Sequence, residues 1–123
     1  MTPLDCRVLL VDDEALLRRS AGRLLKSLGC TVDEAESGRI AVEKVRAGPA
    51  GYDVVLMDLT MPDMDGTEAM RHLETIAPLL PIIVSSGYSP ADVLVTGRVY
   101  GLTKPYSVAA LEAVIRQALG ARH

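Results

Sequence analysis

Short apolar runs alternate along this chain with longer stretches of helical periodicity. The most apolar run, Val54–Met57, contains no polar residue and leads directly into Asp58. A run this short and this apolar is typical of a strand that is buried on both faces of a sheet. A second run, residues 6–11, is likewise followed by two acids, Asp12 and Asp13. The pattern therefore predicts two central strands, each ending at carboxylates.

The segments between these runs favour helices. In residues 14–28 the apolar side chains Leu17, Ala21, Leu24 and Leu28 share one helical face, and Gly29 follows as a stop signal. Ser37 and Ser107 are suitable N-caps for two further helices. The remaining predicted strands cover residues 31–36, 81–86 and 99–103, and another helix is predicted after Asp65.

The alternation of strands and helices predicts an α/β fold with a parallel sheet and right-handed crossovers. The expected architecture is flavodoxin-like: a doubly wound five-stranded parallel sheet in the order 2-1-3-4-5, with five helices. The fourth helix falls between Ser86 and Lys104, where Pro90, Gly97 and a β-branched run are poor helix formers. We expect it to be short or irregular. Residues 1–123 are expected to form one domain.

Composition and charge exclude several classes of function. The 123 residues are 49% hydrophobic, which suffices for a core, and the net charge of −3 argues against direct nucleic-acid binding. No apolar run approaches membrane-spanning length, and the first residues lack signal-peptide features. We therefore expect a cytoplasmic domain with no membrane association. Cys6 and Cys30 each open a predicted strand and could lie close together, although cytosolic thiols stay reduced.

Polar side chains cluster at the carboxyl ends of four predicted strands that are neighbours in the proposed sheet. They are Asp12 and Asp13 after strand one, Asp58 after strand three, Ser85 and Ser86 at the end of strand four, and Lys104 after strand five. Ligands of open α/β sheets bind in the crevice at this edge. Since side chains alternate along a strand, only one of the two serines should face the crevice.

Three adjacent carboxylates repel one another unless a cation lies between them, and an oxygen-rich site of this kind suits Mg²⁺. With its charge shielded, Asp58 could attack phosphorus and form an aspartyl phosphate. Lys104 could neutralise one phosphoryl oxygen, and a serine hydroxyl could donate a hydrogen bond to another. The residue pattern therefore indicates phosphoryl transfer.

The same residues, together with Met61-Pro62, Asp65-Gly66 and Lys104-Pro105, resemble the receiver domain of two-component response regulators. The resemblance covers nearly the whole chain. It implies that Asp58 takes its phosphoryl group from the phosphohistidine of a sensor histidine kinase or a histidine phosphotransferase. It implies Mg²⁺ held by Asp13, Asp58 and the backbone carbonyl of Thr60, with Asp12 acting through water. Catalysis is expected to be limited to self-phosphorylation and self-dephosphorylation, without free-standing enzyme activity.

The register of the resemblance favours Ser86 over Ser85 as the responding hydroxyl. The side chains of Thr60 and Tyr88 could gate the water that hydrolyses the acyl phosphate. The switch aromatic of the family, three residues before Lys104, is replaced by Gly101. Tyr100 stands one place early and should face the other way unless the strand is bulged.

Several alternatives remain open. The motifs around residues 85–89 and 104–107 look more like receivers attached to hybrid sensor kinases than stand-alone ones, and a monomer and a weak dimer are both possible. Gly101 and the short fourth helix leave room for a degenerate receiver that serves as a docking scaffold without phosphorylation.

A phosphatase with an Asp nucleophile is disfavoured because Thr60 stands where a second acid is needed. A flavodoxin-type phosphate binder is disfavoured because Asp12-Asp13-Glu14 would repel the phosphate.

Overall fold

The fold was analysed in a computed structural model of the chain. It describes residues 4–48, 51–58, 66–86, 99–103 and 106–120, with only the backbone described at residues 66, 67 and 86. The elements in chain order are β1 (Arg7–Val11), α1 (Ala15–Ser27), β2 (Thr31–Ala35), α2 (Gly38–Ala47), β3 (Val54–Asp58), α3 (Gly66–Ile76), β4 (Ile82–Ser86), β5 (Val99–Thr103) and α4 (Val108–Gly120). None of the helices in these ranges is long and apolar enough to cross a membrane.

The strands form one five-stranded sheet in the order β2-β1-β3-β4-β5. All four neighbouring pairs are parallel. This confirms the predicted flavodoxin-like doubly wound fold. The described ranges contain four helices, and α4 corresponds to the last predicted one. The short or irregular fourth helix of the prediction falls on residues 87–98, outside the described residues.

The sheet separates two hydrophobic cores because consecutive strand residues point to opposite faces. In β1, Leu9 and Val11 pack with α2 and α3, while Val8 and Leu10 pack with α1 and α4. All five residues of β3 are buried, as expected for a central strand covered on both sides. Burial on both faces fixes the register of the strands whose ends form the site.

Local signals explain the starts of α2 and α4 and the end of α1. The Ser37 side chain accepts a hydrogen bond from the Ile40 N–H at 3.1 Å, and Ser107 accepts one from Ala110 at 3.0 Å. Both predicted N-caps are confirmed. Gly29, with a φ of 95°, follows α1 in the left-handed region that favours glycine.

One face prediction for α1 was wrong in part. Ala21 and Leu28 are buried as expected, but Leu17 is 46% exposed and Leu25 is fully buried instead. The first turn of α1 follows Asp12–Glu14 beyond the end of β1, so Leu17 lies past the edge of the core.

A polar cluster ties β2 to α2 and to the segment before β3. The Asp33 carboxylate accepts hydrogen bonds from the Tyr52 hydroxyl at 2.5 Å and from the Lys44 ammonium at 3.0 Å. The Arg7 guanidinium lies 5.2 Å from the centre of the Tyr52 ring. The hydrogen bond from Tyr52, followed by the contact with Lys44, lowers the pKa of Asp33. Burial and the Asp33 carboxylate raise the pKa of Tyr52 to about 12.

We predict that Tyr52→Phe lowers the free energy of unfolding at pH 7 by about 1–2 kcal/mol, because the Asp33 carboxylate loses its hydroxyl donor. The lowered pKa of Asp33 means that this stabilisation is present above about pH 4 and is lost as the pH falls through the folded-state value. The raised pKa of Tyr52 means that it is also lost as the pH rises from about 10 towards about 12. Urea unfolding of both proteins across this range measures the difference. Equal stability at pH 7 would contradict the prediction.

Candidate functional site

Three carboxylates meet at the carboxyl edge of the sheet. Asp12 follows β1 directly, and Asp58 is the last residue of β3. Because Val11 pairs with Met57, Asp12 and Asp58 lie side by side on adjacent strands. One carboxylate oxygen from each of Asp12, Asp13 and Asp58 lies within 4.8 Å of the other two. Asp12 and Asp58 are only 7% and 4% exposed, whereas Asp13 faces solvent.

Hydrogen bonds at the junction of β1 and α1 hold Asp12 in place. Its backbone N–H donates to the Ala35 carbonyl at 3.1 Å, which extends the pairing with β2 by one residue. Its Oδ1 accepts the Glu14 N–H at 2.9 Å, just before α1 begins. Asp12 thus ends the strand, satisfies a donor at the helix start and contributes to the acidic cluster.

Arg18 stabilises the same junction between β1 and α1. The sequence analysis did not identify this role. Its Nη1 donates to the Asp12 backbone carbonyl at 2.8 Å, and its Nε donates to the Glu34 carboxylate at the same distance. The second contact requires β2 to lie beside β1. No local signal distinguishes Arg18 from Arg19 in the sequence, since the Glu34 carboxylate that selects Arg18 lies on another strand.

The donor set fits a hard divalent cation. Three carboxylates in this space carry strong mutual repulsion when all are ionised, and a cation between them would relieve it. Oxygens bound to one Mg²⁺ lie about 2.1 Å from the ion, so opposite ligands are roughly 4 Å apart. The 4.8 Å limit on the oxygen separations in the cluster is close to that span. Small side-chain rotations would bring the oxygens to an ion.

Tyr106 lies near the cluster and was also missed in the sequence analysis. Its half-buried ring packs against the core formed with α1 and α4. Burial raises the pKa of its hydroxyl, and the negative charges of Asp12 and Asp58 raise it further. The hydroxyl therefore stays protonated at neutral pH. Its position two residues after Lys104 was the only available signal in the sequence.

The structure brings Ser85 next to Asp58. The two residues are register partners across β3 and β4, and Ser85 is buried. Partners in a parallel pair project to the same face, so Ser85 shares the face of Asp58. Ser86 ends β4 opposite Thr103, and its side chain is outside the described set. The preference for Ser86 stays a prediction.

Strand β5 pairs with β4 residue for residue from Val99 to Thr103, so this stretch contains no bulge. Tyr100 therefore projects opposite to Gly101. It packs against the core shared with α1 and α4. Gly101 pairs with Val84, which belongs to the core on the other face. Tyr100 accordingly does not take the place of a side chain at Gly101.

The remaining predicted site residues are Thr60, Tyr88 and Lys104, and they fall outside the described residues. Their roles stay predictions. Among the described residues, the site consists of the acidic cluster, its support from Arg18 and the neighbouring Ser85 and Tyr106. This arrangement can hold a cation and present a buried carboxylate to an electrophile.

Comparisons with known proteins agree with this geometry. The family model described as the response regulator receiver domain matches residues 8–116. A two-component response regulator of Oryza sativa subsp. japonica is 51% identical over 90 residues, which is 71% of each chain. The sensor kinase CckA of Brucella abortus is 37% identical over 120 residues, or 91% of this chain and 12% of that protein. Several other curated relatives are matched over only 11% to 28% of their lengths.

Solved structures show the same relationship. A response regulator receiver protein from Sinorhizobium medicae superposes with a TM-score of 0.85 at 31% identity, covering 98% of both chains. The receiver domain of the hybrid histidine kinase CckA gives a TM-score of 0.79 at 29% identity, covering 92% of this chain and 98% of that one. The fold, the acidic cluster and these matches lead to one conclusion: the chain belongs to the response regulator receiver domain family of two-component signalling.

Proposed function

We propose that the chain is a phospho-accepting receiver. In this proposal Asp58 takes a phosphoryl group from the phosphohistidine of a sensor histidine kinase or a histidine phosphotransferase. The observation that carries the proposal is the buried Asp58 carboxylate beside Asp12 and Asp13 at the carboxyl edge of the sheet. A receiver-family fold supplies the context for that carboxylate.

The proposed step is a direct transfer between two side chains. A carboxylate oxygen of Asp58 attacks phosphorus, the P–N bond of the phosphohistidine breaks, and its electron pair returns to the imidazole. The product is an aspartyl phosphate on this chain. Such transfers depend mainly on positioning and on neutralisation of charge. The short, fully buried β3 holds Asp58 at a fixed position for the attack.

Asp12, Asp13 and Asp58, with the Thr60 backbone carbonyl, would hold Mg²⁺. When bound, the ion supplies the positive charge that offsets the three carboxylates and the incoming phosphoryl oxygens. Asp12 is kept in place for this role by its bonds to Ala35 and Glu14.

The family resemblance supports further roles. Lys104 pairs with the phosphoryl group, and Ser86 donates a hydrogen bond to it. Thr60 and Tyr88 side chains gate the water that hydrolyses the product. Phosphorylation shifts the population between two conformations of the surface formed by the fourth helix of the family, β5 and α4.

We further propose a cytoplasmic location and a single receiver domain over residues 1–123, monomeric or weakly dimeric, with no membrane or nucleic-acid binding of its own. The similarity to the receiver of CckA supports a place in a larger hybrid kinase. Gly101 stands where other receivers carry an aromatic side chain. In this chain, the change of surface conformation on phosphorylation would therefore rely on different side chains.

We predict that Asp58→Asn abolishes phosphorylation by acetyl phosphate, because the amide lacks the nucleophilic carboxylate. Intact-mass spectrometry should show one phosphoryl adduct on the wild type with Mg²⁺ and none with EDTA. Glu43→Gln, which removes an exposed acid on α2, is the matched control and should label like the wild type. A wild type that takes no adduct, under conditions that label another receiver, would favour the docking scaffold instead.

We predict that Asp13→Asn raises the thermal midpoint in EDTA by roughly 3–5 °C, since removing one of three clustered charges relieves about 1 kcal/mol of repulsion. Mg²⁺ should raise the midpoint of the wild type and have much less effect on the variant. Thermal unfolding with and without the cation measures both effects. Glu14→Gln removes the next exposed acid, which is not in the cluster, so it should keep the wild-type midpoint in EDTA and the wild-type response to Mg²⁺. Equal responses of the wild type and Asp13→Asn to Mg²⁺ would overturn the metal assignment.

We predict that Ser86→Ala slows acetyl-phosphate labelling about ten-fold, the loss expected for one hydrogen bond to a charged group. Ser85→Ala should change the rate less than about two-fold. Time-resolved mass spectrometry of the two variants compares adjacent hydroxyls of the same strand. The reverse order would assign the role to Ser85, the register partner of Asp58.

A further inference from the structure

Two thiols meet at the amino edge of the sheet, away from the acidic cluster. Cys6 and Cys30 immediately precede β1 and β2, and their sulfur atoms lie 3.6 Å apart. Arg7 pairs with Thr31, and the Thr31 N–H donates to the Cys6 carbonyl at 2.8 Å, so the two cysteines are neighbours on adjacent chain segments. Cys6 and Asp12 lie at opposite ends of β1, six residues apart, so this edge is roughly 20 Å from Asp12.

We propose that Cys6 and Cys30 form a redox-active dithiol, which a peroxide such as hydrogen peroxide converts into a reversible disulfide between the starts of β1 and β2. This redox chemistry is independent of the proposed phosphoryl-acceptor function. No part of the acidic cluster contributes to the dithiol.

The backbone geometry permits this bond. Adjacent strands lie about 4.8 Å apart, which is within the range of Cα separations that a disulfide spans. The sulfur atoms are already in van der Waals contact, so only a short approach is needed. Both cysteines precede the first paired strand residues, where an adjustment disturbs less of the hydrogen-bonded ladder.

The two thiols differ in acidity. The hydrogen bond between them raises the pKa of Cys6 and lowers that of Cys30. Burial and the nearby carboxylates of Asp53 and Asp5 raise the pKa of Cys6 further. Cys6 is therefore the thiol that holds its proton more firmly. Cys30 is the thiol that supplies the nucleophilic thiolate.

The reaction balances with one peroxide. The Cys30 thiolate attacks one oxygen of hydrogen peroxide, the O–O bond breaks, and hydroxide leaves, which gives a Cys30 sulfenic acid. The Cys6 sulfur then attacks the Cys30 sulfur, the S–S bond forms, and the S–O bond breaks as water leaves. In total the two thiols lose two electrons and two protons, and the peroxide is reduced to two waters.

Access to the dithiol favours a small oxidant. Cys6 and Cys30 are 7% and 6% exposed. Leu4 and Leu28 belong to the same core cluster as the two cysteines, and the Leu4 N–H donates to the Leu28 carbonyl at 2.8 Å. Local opening of the chain at Leu4 would admit a peroxide more readily than a bulky disulfide reagent. We therefore expect Leu4→Ala to accelerate oxidation.

The experiment titrates the reduced full chain with hydrogen peroxide, then unfolds and alkylates it and measures the intact mass. The wild type should lose both free thiols and the mass of two hydrogen atoms, and dithiothreitol should restore both thiols. In Cys6→Ser, Cys30 should gain one oxygen as a sulfenic acid that dimedone traps. In Cys30→Ser, burial and the carboxylates of Asp53 and Asp5 still raise the pKa of Cys6, so Cys6 should react at least about ten-fold more slowly than Cys30 does in Cys6→Ser.

The controls separate this chemistry from loss of structure. Circular dichroism should show native folding in both serine variants, and Cys6→Ala and Cys30→Ala replace them if either unfolds. The proposal is overturned if the folded wild type keeps two free thiols at peroxide levels that oxidise the unfolded chain. It is also overturned if the wild type gains oxygen without forming the internal disulfide, or if the disulfide joins two chains.

Discussion

The parallel pairing of β1 with β3 is the interaction on which the rest of this structure depends. Both strands are buried on both faces, so their apolar side chains fix how they lie side by side. The pair Val11 and Met57 aligns the two carboxyl ends. A shift of one residue would turn Asp58 to the other face and bury apolar side chains differently on both. Core packing therefore sets the position of the acids.

The same packing holds like charges close together at this edge, despite their mutual repulsion. Asp12 and Asp58 are almost completely buried, and Asp13 adds a third charge close to them. The repulsion among these carboxylates opposes folding, as is common at functional sites that bring like charges together. The hydrogen bonds that Asp12 makes to Ala35, Glu14 and Arg18 hold its backbone and one carboxylate oxygen in place against this repulsion.

The two edges of the sheet differ in chemistry. The carboxyl edge collects three acids, whose oxygens are hard ligands suited to a divalent cation. The amino edge brings together two buried thiols, which are soft and oxidisable. Because Cys6 directly precedes β1 and Asp12 directly follows it, this strand connects the two kinds of chemistry.

Sequence alone determined the strands, because short apolar runs are local signals. Their order, and with it the convergence of Asp12, Asp13 and Asp58, followed from general rules for alternating strands and helices. Only the tertiary structure decided features that need two distant segments to meet. These include the bond of Arg18 to Glu34, the charges acting on Tyr106 and the contact of Cys6 with Cys30. Leu17 was predicted to be buried but is exposed. The helical period shows which face of a helix is apolar, but the end of the core decides which turns of that face are covered.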